Sequence, residues 1–186
     1  QNEWPKAAED VHRYREIARS VGHTPRPPII LSNVACAPTR EEARDWAFRY
    51  LGEKWDSIDN HYHFSDGHLA NVKGYESYGS LAKTYTKMKD ASFRDKATDF
   101  YVKIQVVGTP DDCIQQIGEL RRLTGMDHFV TEFSFGSMPH HLSELNMRLF
   151  AEKVVPVLQR DAAFQGEIDP FAGKGTGSEE RLFAPA

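Results

Sequence analysis

The stretch HYHFSDGH, residues 61 to 68, places His61, His63, Asp66 and His68 within eight positions. Imidazoles and a carboxylate at that density suit three tasks: ligating a metal, moving protons, or lining a polar loop. A His-x-His pair beside Gly67 fixes no ligand geometry, and zinc sites show tighter ligand patterns, so no metal is expected here. Around the histidines stand side chains suited to covering a ligand: Tyr62, Phe64 and Tyr75 offer apolar surface. Gly67, Gly74 and Gly79 let the backbone turn, and Lys73 can attract an anion. The chain has no Ser/His/Asp constellation, no Gly-x-Gly-x-x-Gly and no Cys-x-x-Cys, so hydrolase, dinucleotide-binding and dithiol chemistry have no positive support.

These residues must be held by regular elements, and the apolar periodicity shows where they lie. Residues 4 to 21 read as a helix, with Pro5 in the first turn and Ala8, Val11, Ala18 and Val21 at helical spacing. IILSNVACA, residues 29 to 37, is a short, mostly apolar run without polar alternation, of the kind found in a strand covered on both faces. Thr39, with Glu42 three residues on, is a capping-box pattern. It opens a helix whose face carries Ala43, Trp46 or Ala47, Tyr50 and Trp55. Residues 59 to 92 break the rhythm and read as a long, functional or mobile insertion with a short helix near 78 to 88.

Regularity returns at YVKIQVVGTPDDCIQQIGELRRLTG. Thr109 caps, Pro110 takes the first helical position, Asp111 and Asp112 sit at the positive helix end, and Gly125 closes the element. HFVTEFSFG, residues 128 to 136, reads as a second strand. A helix over 141 to 158 follows, with Leu142, Leu145, Leu149 and Val157 among its apolar positions. Residues 161 to 186 are glycine-rich and weakly patterned, a tail expected to lie on the surface or on another subunit. The alternation of strands and helices implies a parallel sheet. With two or three strands this is either a small open α/β sheet or the C-terminal portion of a (β/α)8 TIM barrel, which takes about 250 residues.

The composition narrows the partners. The 186 residues carry 23 basic and 27 acidic side chains, a formal charge of -4. No Lys/Arg stripe interleaves with aromatics, so nucleic acid is not an expected partner. No apolar run approaches the ~20 residues of a membrane helix. Two cysteines, Cys36 and Cys113, do not make a secreted disulfide framework, and a cytoplasmic setting is expected.

Several segments, in order, resemble the luciferase-like flavin monooxygenases: NVACAPTREEARDWAFRYLGEKWDS, KGYESY, VGTPDDCIQQI and DHFVTEFSFGSMPHHLSELNMRLFAEKVVPVL. VGTP before a carboxylate-rich helix start is the most specific piece. The resemblance covers the C-terminal half of that family. It implies that residues 1 to 160 are the last part of a TIM-barrel domain, with 59 to 92 a lid over the flavin site. It further implies FMN, reduced by a separate NAD(P)H:flavin reductase, with dioxygen and a small organic substrate as co-reactants. The N-terminal half of the same barrel would be the immediate partner, in a dimer or higher oligomer. Trp4 and Gln1, at a strand end, would then lie near the flavin. His61, His63, Phe64, His68, Lys73 and Tyr75 in the lid, with Phe135 and Met138 at the end of the last strand, would face substrate. A deazaflavin-dependent dehydrogenase of the same superfamily and a non-catalytic partner subunit are the alternatives.

Overall fold

The computed structural model describes residues 3–166. Its elements run α1 (Trp4–Ser20), β1 (Ile29–Cys36), α2 (Arg40–Tyr62), α3 (Tyr78–Lys87), α4 (Ala91–Lys103), β2 (Val106–Gly108), α5 (Pro110–Thr124), β3 (His128–Glu132), α6 (His140–Leu149) and α7 (Val155–Arg160). The sheet has the order β2-β1-β3 and both pairings are parallel. β1 changes partner along its length: Ile29–Asn33 pair with His128–Glu132, and Val34–Cys36 pair with Val106–Gly108.

Alternation along β1 sends Ala35 into one cluster with Trp46, Tyr50 and Leu51 of α2 and Val102 of α4. Val34 and Cys36 enter the other, with Cys113, Ile117 and Leu120 of α5 and with Phe150 and Val154. Helices therefore cover both faces at the C-terminal end of β1, as a parallel sheet requires. At its N-terminal end one face is bare: Ile29 is 66% exposed, Leu31 53% and the paired Val130 45%.

Where strands lack a neighbour, side-chain amides complete the ladder. The Asn33 N–H donates to Gln105 Oε1 at 2.9 Å. Gln116 of α5 takes both backbone groups of Val107, at 3.0 and 2.8 Å. Asn146 of α6 accepts from the Cys36 N–H at 2.8 Å and donates to the carbonyls of Val34 and Phe133. Each removes an unpaired backbone group from the interior.

Several expectations change. The Thr109 box is complete: its hydroxyl accepts from the Asp112 N–H while the Asp112 carboxylate accepts from the Thr109 N–H. At Thr39 only half the box forms, because the Glu42 carboxylate accepts from the Thr39 hydroxyl instead of its N–H. The second strand ends at Glu132, short of 136, and a third, β2, is only three residues long. Residues 59 to 62 belong to α2, and α4 begins at Ala91 with Asp90 as its cap, its carboxylate accepting from the Phe93 N–H at 2.8 Å. The last helix buries Ser143, Asn146, Phe150 and Val154, whereas Leu145 is exposed. A π turn over Phe150–Val154 precedes Pro156, which has no N–H for a regular helical bond. Of the tail, Phe164 packs on the second cluster, and residues from 167 on lie outside those described.

Candidate functional site

At the C-terminal end of the paired strands, on the face partly bare, polar side chains meet. Asn33 and Glu132 are neighbours in register. Lys54 of α2 reaches both, donating from Nζ to Glu132 Oε2 at 2.9 Å and to Asn33 Oδ1 at 3.2 Å. The Asn33 amide N–H groups donate to Tyr101 Oη at 3.2 Å and Gln105 Oε1 at 3.0 Å. Asn33 is only 1% exposed, so its amide is a buried bracket holding a lysine and a tyrosine in fixed places. Trp55, next along α2, lies 5.0 Å from the Tyr101 ring, and its indole N–H is buried without an acceptor among the described residues.

α2 is held in this place by the loop after β3. Gly136 has φ +58°, and a Cβ there would stand 2.2 Å from the Tyr50 carbonyl oxygen. Only glycine lets the loop approach the helix so closely. One residue on, the Ser137 N–H donates to Glu53 Oε2 at 3.1 Å and its hydroxyl bonds the same oxygen.

Above this place the segment expected as a loop folds around its own aromatic core. Trp55 and Tyr85 meet edge to face at 6.1 Å; Tyr85 contacts Phe64 at 5.3 Å, and Phe64 contacts Tyr62 at 5.3 Å and Tyr78 at 5.8 Å. Burial, with Asp59 and Tyr101 nearby, pushes the Tyr85 hydroxyl up to about 12, so it stays neutral. The insertion is thus a packed helical cap.

The eight-residue stretch is spread over this cap. His61 is in the last turn of α2, its ring edge-on to Tyr62 at 4.6 Å. His63 terminates the helix in the left-handed conformation, φ 52°, its N–H donating to the Asp59 carbonyl at 2.7 Å. Its ring lies 3.8 Å from Asp66, and His68 opens a separate 3-10 turn. No three His, Cys, Asp or Glu side chains among the described residues come together to hold a metal ion.

The remaining expected residues scatter likewise. Lys73 is exposed, and Tyr75 is exposed beside Tyr78 at 5.5 Å. Phe135 and Met138 are buried in the first cluster with Ala35 and Trp46. Trp4 packs with the second cluster and donates its indole N–H to the Ile104 carbonyl at 3.2 Å. Gln1 lies outside the described residues. Asn33, Lys54, Tyr101 and Glu132 escaped the sequence reading. The available signal was a polar Ser-Asn pair inside the apolar run IILSNVACA.

A parallel sheet with helices on both sides and polar groups at its strand ends defines an α/β protein with the usual place for a ligand. The family model for the luciferase-like monooxygenases matches residues 1–128, and the chain belongs to that family. The alkanal monooxygenase alpha chain of Photobacterium leiognathi is 28% identical over 149 residues, covering 78% of this chain and 41% of that protein. The crystal structure of monooxygenase RslO1 from Streptomyces bottropensis is similar at 22% identity and a TM-score of 0.49, over 83% of this chain and 39% of that one. The chain therefore spans about two fifths of the length of each. No described helix is long and apolar enough to cross a membrane.

Proposed function

We propose that this chain is the C-terminal part of an FMN-dependent monooxygenase, its three strands forming an arc of a (β/α)8 barrel. The observation carrying this reading, beside family membership, is the sheet face. Ile29, Leu31 and Val130 lie bare at one end of it, and a polar group under a helical cap stands at the other. Parallel strands are normally covered on both faces, so the bare strip is the surface on which preceding βα units would close. The polar group would then sit at the C-terminal mouth of the barrel, where such enzymes carry their sites.

The residues at that mouth suit an aromatic ring system with hydrogen-bond acceptors. The orphaned Trp55 N–H and the Tyr101 hydroxyl are donors, and the bare strip is apolar. When bound, reduced FMN, supplied by a separate NAD(P)H:flavin reductase, would provide the electrons with which dioxygen is activated. The chain's own work would be to orient a small organic substrate and keep water out. The aromatic core of the cap, Phe64, Tyr78, Tyr85 and Trp55, would make it a stiff cover. His61, His63, His68, Lys73 and Tyr75 on its surface would meet ligand only as the cap closes.

The test is titration of the whole protein carrying this chain with oxidised and photoreduced FMN, followed by flavin fluorescence. Binding in the micromolar range is expected; failure to bind either form would overturn the proposal.

A further inference from the structure

We infer that Lys54 and Tyr101, bracketed by Asn33, form a binding site for a neutral oxygen group of the substrate, a carbonyl or a hydroxyl. This rests on the mouth assignment above and deepens it by naming the functional group the site would take.

Both groups have hydrogen-bond capacity to spare. An ammonium has three donors, and Lys54 uses two, to Glu132 and Asn33. A phenol both donates and accepts; Tyr101 accepts from Asn33 Nδ2, and its own proton has no acceptor among the described residues. Both groups hang from opposite ends of one amide, and that amide cannot rotate. Asn33 is 1% exposed, with its backbone N–H and its side chain also tied to Gln105. Two unused donors held by one fixed bracket make a preorganised place for an acceptor oxygen.

Charge then selects the kind of oxygen. Glu132, 2.9 Å away, already neutralises Lys54, so the pair offers no net positive field for a carboxylate or phosphate. A neutral oxygen can take the third ammonium proton without displacing Glu132. A hydroxyl can in addition donate to the glutamate, whereas a carbonyl can only accept.

A purely structural reading treats Lys54 and Glu132 as a staple between α2 and β3. That role is already filled a few residues away, by the Gly136 approach to Tyr50 and the Ser137 to Glu53 bonds. A staple also needs no tyrosine with an unused proton. Lys54 and Glu132 keep 25% and 40% of their side-chain surface exposed, so as an ion pair they contribute little to stability.

The experiment uses the whole protein with FMN bound and three probes of similar size: cyclohexanone, cyclohexanol and methylcyclohexane. Their dissociation constants are measured by ligand-observed saturation-transfer NMR on the wild type, Lys54→Met, Tyr101→Phe and Glu132→Gln. The wild type should bind ketone and alcohol about tenfold more tightly than the hydrocarbon, the change one charge-assisted hydrogen bond makes. Lys54→Met should remove that preference and leave hydrocarbon binding unchanged. Tyr101→Phe, which keeps the ring against Trp55, should weaken the ketone severalfold, and Glu132→Gln should weaken the alcohol alone.

A wild type that does not distinguish ketone from hydrocarbon would overturn the inference. So would Lys54→Met with unchanged ketone affinity and lowered thermal stability, the signature of a staple. Should Lys54→Met not fold, unchanged ketone binding in Tyr101→Phe would overturn it alone. Loss of FMN binding by the wild type would instead strike at the proposed function, because the probe titrations are read without turnover.

Discussion

Replacing Gly136 by alanine tests how α2, with Lys54 on it, is seated against the strand ends. A Cβ at this position would be 2.2 Å from the Tyr50 carbonyl oxygen and 3.3 Å from Glu53 Cβ. Carbon and oxygen need about 3.3 Å, so loop and helix must part by about 1 Å. The left-handed backbone, φ +58°, costs a non-glycine residue about 1 kcal/mol by itself. Parting the loop from α2 also stretches the Ser137 N–H bond to the Glu53 carboxylate, a bond to a charged group, at about 1.5 kcal/mol or more. With the packing lost alongside, the total is about 3–5 kcal/mol. Gly74 supplies the control: its φ is +91°, but nothing lies within 4 Å, so alanine there meets only the backbone penalty of about 1 kcal/mol. Urea unfolding and thermal melts of the whole protein should show Gly136→Ala losing on the order of 10 °C, and Gly74→Ala about 3 °C. Equal losses for the two would refute the close approach and the placement of Lys54 that depends on it.

The Asp112 carboxylate is held well below its ordinary value of 3.8 by the Arg40 guanidinium and by the Thr109 N–H and hydroxyl. A depressed folded-state value contributes stability above pH 3.8 that is lost as pH falls below it. Asp112→Asn should cost about 1 kcal/mol at pH 7, mostly through the capping box because Arg40 is exposed and screened. Urea midpoints compared at pH 7 and pH 3 should show wild type and variant converging in acid. Leu31→Asp should stop βα units preceding this chain from closing on the bare strip; size-exclusion and limited proteolysis would show an open, cleavable protein if the barrel proposal holds. Joint alanine replacement of His61, His63 and His68 should raise the peroxide released per NAD(P)H oxidised, measured with a peroxidase-coupled dye. Unchanged coupling would make the stretch ordinary surface.

The elements most visible in the sequence were those with local signals at both ends. Thr109, Pro110 and Gly125 bound α5 as written, and the mostly apolar run at β1 marks a strand, covered from both sides only towards its C-terminal end. α4 leaves little trace in the sequence because its buried positions are Thr98 and Val102, a stripe with little apolar content. β2 is too short for any period to show, and its existence depends on β1, whose paired residues lie 72 positions away in sequence. α2 runs past its apolar pattern because its final turns carry Asn60, His61 and Tyr62; no breaker precedes His63, which stops the helix by its own backbone conformation. The conspicuous histidines therefore dispersed across a helix end and two turns. The polar group at the strand ends comes from four separate elements and carries no spacing that a linear reading could use.

The three side-chain amides that finish the sheet have a kinetic consequence. The amide protons of Cys36 and Val107 belong to strands, yet their bonds end on Asn146 of α6 and Gln116 of α5. Their exchange with solvent deuterium should follow the opening of those helices rather than separation of the strands. A fluctuation in the outer layer would then be recorded, residue by residue, in the strands beneath it.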